Sequence, residues 1–436
     1  MNLDRARLLA ALSILLATTA AAVEWRNLSP SPRTLPTIIV DTAGHRAILF
    51  GGAAADEYYN DVWELPLDTV AGYRWLPVVT SGSPPSGRWG HRAAYDADAG
   101  RMYVFAGKAG EYPVNDVWAL DLETMTWQQL SPSGTPPAAR ISSMMAYCPS
   151  RHSLVVYGGT DAAPMGDVWE LKLDSMRWRA LSPSGSAPAE RWGGGQFMDL
   201  VNNRLVIVGG IGDVFYNDVW ALDLTSQNGT WQELSVTGTP PAVRGDYAYA
   251  YDELQGRYFV FGGWNYPPHT LLDDAFVLEM ADLSWHELTA SGEQPRERRC
   301  PVGFYDPDNQ NFVVFGGQGY MTFFCDLPYV HFPAGGVGEW KSPQPGSVLL
   351  LQVATVTSEH ARIRYCAGDA KRVGLRIIDA TGRVVRHLST GIPGSSSGWV
   401  TWDRTDDLGG AVSPGDYYCY LETERGGVSR KLVLVE

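Results

Sequence analysis

A unit of about fifty residues comes round six times in this chain, and a repeat of that length calls for stacked supersecondary modules rather than one mixed core. Its clearest copy runs Val206-Ile207-Val208-Gly209-Gly210, an aromatic-bearing loop, Asn217-Asp218-Val219-Trp220-Ala221-Leu222-Asp223, Trp231-Gln232-Glu233-Leu234 and Pro240-Pro241-Ala242-Val243-Arg244. The second glycine of the pair, or its equivalent, stands at Gly52, Gly107, Gly159, Gly210, Gly263 and Gly317, in steps of 55, 52, 51, 53 and 54 residues. Asn60-Asp61-Val62-Trp63, Asn115-Asp116-Val117-Trp118 and Gly166-Asp167-Val168-Trp169 match the third-run motif, and Asp273-Asp274-Ala275-Phe276 and Cys325-Asp326-Leu327-Pro328 are altered copies. Each unit offers four short apolar runs between Gly, Pro, Asp and Ser, the pattern of evenly spaced strands, and no stretch has a helical period. In the fifth unit the runs are Ala248-Tyr251, Tyr258-Phe261, Ala275-Leu278 and Trp285-Leu288. Asp96-Ala97-Asp98-Ala99-Gly100 and its equivalents supply the turn between the first two.

A Trp-x-x-Leu element begins at Trp25, Trp75, Trp127, Trp178, Trp231 and Trp285. One copy precedes the first glycine pair and none is read after the last, so the stretch Trp25-Arg26-Asn27-Leu28 is expected to pair with the Asp326 strand and close the array.

The 436 residues are too many for one ordinary core, which suggests two domains, and 45% hydrophobic with 19% charged residues describes a folded protein. A formal net charge of −14 with no basic run argues against nucleic acid and anionic membrane surfaces as partners. Arg5 and Arg7, the apolar run Leu8–Ala17 and Ala20-Ala21-Ala22 form a secretory signal pattern, predicting cleavage after Ala22 and an exported chain, secreted, periplasmic or on the cell surface. No later segment is apolar enough to span a bilayer. The five cysteines are too few and too odd in number for a stapling framework. Cys366 and Cys419 lie in strand-like stretches and form one candidate disulfide, whereas Cys300 and Cys325 would sit two strand spacings apart, beyond disulfide reach unless a loop folds back.

An apolar strand ending in Gly-Gly, then Asp-Val-Trp, then a further Trp, resembles the kelch repeat over all six units. The resemblance implies an all-β fold, a six-bladed kelch β-propeller over residues 23–338 closed by an N-terminal strand. Residues 339–346, rich in Pro, Gly, Ser and Lys, read as a linker. In 347–436 the hairpin around Asp379-Ala380-Thr381-Gly382, Trp402-Asp403, Asp406-Asp407-Leu408-Gly409, Pro414-Gly415-Asp416-Tyr417 and Lys431-Leu432-Val433-Leu434-Val435 resemble the immunoglobulin-like β-sandwich of flagellar hook-capping proteins, similar to type IX secretion sorting domains.

Two sets of residues are candidates for function. Arg88, Arg140, Arg191, Arg244 and Arg298, with Arg33 in the first unit, each follow a Pro-containing turn and enter the innermost strand. Convergent guanidinium groups suit carboxylate or phosphate ligands, and the alternative is pairing with Asp61, Asp116, Asp167, Asp218, Asp274 and Asp326. The loops after the glycines carry Tyr58, Tyr59, Tyr112, Phe215, Tyr216, Trp264, Tyr266, His269, Tyr320, Phe323 and Phe324, while Trp89 and Trp192 follow two of the arginines. Such a face suits a glycan or protein partner, with Trp264 and Tyr320 as its first contacts. No metal-ligand spacing, nucleophile elbow or phosphate loop occurs, so no cofactor, metal or catalytic residue is assigned. Asp403, Asp406 and Asp407 read as a polar turn in preference to a Ca²⁺ site. The expectation is a monomeric, non-enzymatic binding module with a C-terminal domain for export, anchoring or spacing. The alternative is a sugar-modifying enzyme resembling the kelch-type sialic acid mutarotases, with an arginine-lined channel.

Overall fold

The computed structural model describes residues 29–55, 57–67, 73–289, 294–331, 339–341, 350–356, 360–366, 373–390, 397–423 and 426–434. The predicted signal segment and the Trp25 stretch lie outside them.

Six sheets follow one another, each with four antiparallel strands in chain order; sheets 2 and 5 carry in addition a two-residue outer strand, Ser81–Gly82 and Thr237–Gly238, that pairs parallel. Sheet 1 comprises Thr37–Asp41, Arg46–Phe50, Val62–Pro66 and Leu76–Val78, numbered strands 1 to 4 outward. Sheet 2 comprises Arg92–Asp96, Arg101–Phe105, Val117–Asp121 and Thr126–Leu130, and sheet 3 Met144–Cys148, Ser153–Asp161, Ala163–Lys172 and Arg177–Leu181. Sheet 4 comprises Gly195–Asp199, Arg204–Ile211, Phe215–Asp223 and Thr230–Glu233, and sheet 5 Ala248–Asp252, Arg257–Phe261, Ala275–Glu279 and Ser284–Glu287. Sheet 6 comprises Val302–Asp306, Asn311–Phe315, Tyr329–His331 and Glu339–Lys341. The last strand departs from the sequence expectation in two respects. Residues 339–341, read as the start of a linker, pair antiparallel with Tyr329–His331, Trp340 opposite Val330. The other edge of that strand is taken by Asn311–Phe315, so its place for an outer partner is filled from the C-terminal side. The repeat grammar explains why: Glu339-Trp340-Lys341 is the sixth Trp-bearing outer strand, lacking the leucine that marks the other five.

The apolar positions of strands 1 to 4 point to both faces of each sheet, because each sheet is covered on both sides by its neighbours. Ile48, Phe50 and Val62 of sheet 1 share a core with Met102, Val104 and Trp118 of sheet 2, and Ala47, Leu49 and Trp63 share another with Phe304, Val313 and Phe315 of sheet 6. Buried Trp75, Trp127, Trp178, Trp231 and Trp285 on the outer strands fill the wider spaces between sheets. Strand 1 of sheet 1 lies against strand 1 of sheet 2 on one side and of sheet 6 on the other, and each remaining strand 1 lies against its two neighbours in sequence.

Each second glycine leaves strand 2 with positive φ, between 92° and 107°. At Gly210 (φ 106°) a Cβ would stand 2.8 Å from the carbonyl oxygen of Trp192, so geometry and space both demand glycine.

The C-terminal region has a three-stranded sheet, Leu350–Val356, Ala361–Cys366 and Ser397–Trp402, and a four-stranded sheet ordered Val384–Thr390, Val373–Asp379, Gly415–Thr423, Gly426–Leu434. Ile363, Tyr365 and Trp402 of the first and Leu375, Ile377 and Leu421 of the second form one core. The Asp379-Ala380-Thr381-Gly382 turn is held by Asp379 Oδ1, which accepts from the Thr381 and Arg383 N–H groups. The candidate Cys366–Cys419 disulfide is corrected: Cys419 is a free thiol, pushed up to about 12 by its burial in this core. Register places Cys366 opposite Leu350 and Ser397 in one sheet and Cys419 opposite Ile377 and Arg430 in the other. Cys325 is disulfide-bonded, and Cys300 is free.

Gly210→Ala is expected to destabilise the chain by about 2–3 kcal/mol, combining positive-φ strain with the clash. Gly110→Ala, at φ 69° with nothing within 4 Å of the added Cβ, should cost less, about 1 to 2 kcal/mol, from the backbone conformation alone. Urea unfolding of both variants measures the difference.

Candidate functional site

The loop entering strand 1 and the loop between strands 2 and 3 meet at one end of every sheet, and the repeated arginine fastens them. Its guanidinium makes a two-pronged ion pair with the aspartate that opens strand 3: Arg33–Asp61, Arg88–Asp116, Arg140–Asp167, Arg191–Asp218, Arg244–Asp274 and Arg298–Asp326, at 2.5 to 2.7 Å on the shorter prong. The same Nη1 donates to a carbonyl in the glycine pair (Gly51, Ala106, Gly158, Gly209, Gly262, Gly316) and Nε donates to the carbonyl two residues upstream. In sheets 1 to 4 the aspartate also accepts from the indole N–H of the Asp-Val-Trp motif, from Trp63, Trp118, Trp169 and Trp220. Asn60, Asn115 and Asn217 donate to Pro85, Pro137 and Pro241 carbonyls and so tie down the following Pro loop. Tyr59, Tyr216 and Phe324 lie against Arg33, Arg191 and Arg298 at 4.1 to 4.2 Å from guanidinium to ring centroid.

This overturns the ligand-binding assignment of Arg88, Arg140, Arg191, Arg244 and Arg298. All five are buried, and their donors are committed to their own sheets. Burial alone would raise the partner carboxyls, but the arginines' charge and hydrogen bonds prevail and hold Asp61, Asp116 and Asp167 below the usual carboxylate value.

Two residues beyond each arginine the backbone turns left-handed in all six units: Leu35, Gly90, Ser142, Gly193, Asp246 and Cys300 have φ of 48° to 63°. Their amides form a chain of hydrogen bonds, Gly90 N–H to Leu35 O, Ser142 to Gly90, Gly193 to Ser142, Asp246 to Gly193, Cys300 to Asp246, and Leu35 N–H back to Cys300 O, at 2.7 to 3.2 Å. Below this chain the inner strands bound a cavity of about 770 Å³ lined by Arg92, Tyr95, Gln196, Asp246, Tyr249 and Tyr251 among others.

Sequence reasoning missed the polar groups at this axis. Asp246 is 8% exposed; Trp264 donates its indole N–H to Oδ2 at 3.3 Å, and Oδ1 has no partner among the described residues. Burial pushes its carboxyl up, against the Trp264 hydrogen bond and the charges of Arg92 and Arg299. Burial and then Asp246 drive the Cys300 thiol well above its ordinary value, so it is not a thiolate nucleophile. Gln196 Oε1 and Ser142 Oγ are likewise buried without partners. Arg92 donates Nε to Ser143 O, and Arg299 grips Gln318 Oε1. His91, buried beside Arg88 and Arg92, is held well below its ordinary value and stays neutral, with Nε2 on Thr37 Oγ1. The available signal was that position two after the arginine carries a carboxylate in the fifth unit alone.

The aromatic candidates divide. Trp89 is half-buried, with Lys108 Nζ 5.9 Å from its ring centroid, and half-buried Trp192 is bridged to Ile211. Trp264 packs on Phe215 at 4.9 Å and on His269 at 5.3 Å, and His269 lies 6.2 Å from Tyr320, so Trp264 and Tyr320 are brought together across sheets 5 and 6. Tyr58, Tyr112, Val214, Tyr266, Tyr320 and Met321 are exposed on these loops. Asp403, Asp406 and Asp407 are taken up as acceptors for Thr405, for Leu408 and Gly410, and for His387, the arrangement of a polar turn.

The family model of the KLHDC2/KLHL20/DRC7 Kelch-repeats domain matches residues 14–210 and 148–317. The chain is 31% identical over 265 residues to Acyl-CoA-binding domain-containing protein 5 of Arabidopsis thaliana, covering 58% of this chain and 39% of that protein. Adagio protein 3 of Arabidopsis thaliana is 30% identical over 327 residues (69% and 50%), and Kelch domain-containing protein 3 of Rattus norvegicus 24% over 319 residues (67% and 79%). The chain thus spans between a third and a half of the length of the plant relatives. Among solved structures, one titled "Structure of YjhT" shares the fold with a TM-score of 0.54 at 15% identity, covering 72% of this chain and 98% of that one.

Arg88→Met should destabilise the chain by about 2–4 kcal/mol because it strands the Asp116 carboxylate, and adding Asp116→Leu should restore part of the loss. The wild type should lose stability as pH falls below about 4, since folded carboxyls held below their unfolded value of about 3.9 stabilise only while ionised. Urea midpoints at neutral and acid pH measure both effects, and the double variant should show the shallower acid loss.

Proposed function

Because the chain belongs to the kelch-repeat family, we propose that its six sheets are the blades of a closed six-bladed propeller whose loop face is a binding surface for a protein or glycan partner. The supporting observation is the division of labour on that face. The repeated arginines are consumed in holding it together, while Tyr112 (73% exposed), Tyr320 (59%) and Met321 (93%) stand out from it. Large exposed side chains on loops braced by buried ion pairs are the anatomy of a recognition surface. Closure by six blades is supported by the hydrogen-bond chain that returns to Leu35 and by the shared core of sheets 1 and 6. The amino-terminal pattern supports export, and the two C-terminal sheets with one core support an immunoglobulin-like domain that anchors or spaces the propeller.

A second reading is favoured by the axis. Asp246, with a free carboxyl oxygen and an elevated proton affinity, lines the cavity with Arg92. A sugar acid could set its carboxylate on Arg92 and exchange a proton with Asp246, as an enzyme of the mutarotase kind requires.

Display selection of peptides and a glycan array on the mature chain test the first reading: Tyr320→Ala and Tyr266→Ala should weaken the selected ligand about tenfold with an unchanged melting temperature. Exchange NMR on sugar-acid anomers tests the second; acceleration that Asp246→Asn lowers at least about tenfold would establish the enzyme and displace the binding module.

A further inference from the structure

Resting on the axial reading only for the place of the guest, we propose that the cavity on the axis is a well entered from the turn end, opposite the loop face, and that it binds an aromatic carboxylate carrying a hydrogen-bond donor beside the carboxylate. Strand 1 of every sheet contributes to the wall, and the two ends of the well differ. At the turn end the lining takes one residue from each of the six turns that join strands 1 and 2: Thr42, Ala97, Pro149, Leu200, Leu254 and Pro307, all exposed except half-buried Pro307. At the loop end it ends on the hydrogen-bonded ring, where Leu35 is half-buried and Gly193 and Asp246 are buried. A guest therefore reaches the interior past Leu200 and Leu254 and not past the loops.

The unanswered polar groups are gathered at the inner end. Arg92, 8% exposed, donates Nε to Ser143 O and Nη1 to His91 O, both neutral acceptors, and no carboxylate stands within ion-pair distance of it among the described residues. A guanidinium taken out of water without a counter-charge is costly, and a carboxylate matches its two-pronged geometry. Asp246 Oδ1 and Gln196 Oε1 are buried acceptors without a donor in the same wall, with Gln196 Nε2 turned to Met145 O. A hydroxyl next to the carboxylate would satisfy one of them while the carboxylate answers Arg92. Burial raises the Asp246 carboxyl, which lessens its repulsion of the arriving anion.

Between the inner end and the mouth the wall is apolar. Ile38, Val40, Ala93, Tyr95, Tyr249 and Tyr251 are half-buried on strands whose other positions are buried, because they face the well. Tyr95 gives its hydroxyl to Asp41, so it offers a guest its ring. Such walls suit a flat ring system and leave the many hydroxyls of a sugar acid without partners. A volume of about 770 Å³ has room for a two-ring body. Asp98 and Glu253 stand exposed at the mouth, about 13 Å along strand 1 from the inner end, so the outer end of the guest is uncharged.

The full chain is titrated calorimetrically with naphthyl-lactate, its methyl ester, naphthyl-propionate and glucuronate. The lactate should bind, the ester and the propionate each about tenfold more weakly, and glucuronate should not. Arg92→Met should abolish the preference for acid over ester, and Asp246→Gly should reduce the preference for lactate over propionate; both are ratios, which a loss of stability leaves unmoved. Leu200→Trp with Leu254→Trp, on exposed turns, should weaken the lactate about tenfold, and Tyr320→Ala on the loop face should leave it unchanged. A lactate that fails to bind, equal binding of acid and ester, or binding indifferent to the two mouth substitutions overturns the proposal. Glucuronate held through Arg92 in place of the lactate overturns this guest and leaves the axial enzyme standing, while the absence of both removes the axial reading as well.

Discussion

Everything in the six-sheet array depends on one residue per unit that faces two ways. The backbone of each repeated arginine is bonded to the preceding sheet, and its side chain to its own. Arg88 N–H donates to Tyr59 O and Gly52 N–H to Arg88 O, while the Arg88 guanidinium grips Asp116. Arg33 does the same between sheets 6 and 1, with Phe324 O and Gly317 N–H on one side and Asp61 on the other. A buried ion pair contributes little net stability when compared with an apolar pair, so its worth lies in register: it permits one relative placement of two loops. That placement brings the left-handed residue two positions on to where its amide meets the carbonyl of the neighbouring unit.

Much of this was legible in the sequence, and what escaped did so for physical reasons. The glycine pair, the Asp-Val-Trp motif and the arginine recur because each solves the same local problem six times, and the strands of sheet 5 fall within a residue of their expected bounds. The partnering of arginine with aspartate was visible as a matched count, and the geometry decided it against ligand binding. The outer strand of sheet 6 was hidden because Glu339-Trp340-Lys341 lacks the leucine that marks the other copies, and its neighbouring Pro, Gly and Ser resemble a linker. The Cys366–Cys419 pairing failed because proximity in a sandwich depends on which sheet a strand joins, and the spacing of two cysteines does not encode that. The axial residues were missed because a position that is Gly in two units attracts no notice until the fold gathers all six at one mouth.

Repetition and function therefore occupy different residues. Where the six units agree, side chains are buried and paired. Where they differ, at Tyr58, Tyr112, Val214, Tyr266 and Tyr320, the side chains are exposed. A scaffold that fastens its loops with the invariant half of the motif leaves the remaining half of each loop to vary in length and chemistry.

Asp246 breaks this division, and in two ways at once. Its φ of 49° is tolerated by aspartate but favours glycine, which is what two of the other five units place there. Its Oδ1 is buried without a partner, as are Gln196 Oε1 and Ser142 Oγ, and each such atom costs about 1–3 kcal/mol if it stays unsatisfied. A glycine at position 246 would keep the backbone chain of hydrogen bonds intact and remove both penalties. The carboxylate therefore does nothing for closure that a glycine could not do, and with Arg92 beside it in the cavity it is suited to a polar guest, solvent or solute, that donates hydrogen bonds. Local rules broken without a structural return mark the places where a fold is put to use, and on this chain the axis is such a place as well as the rim.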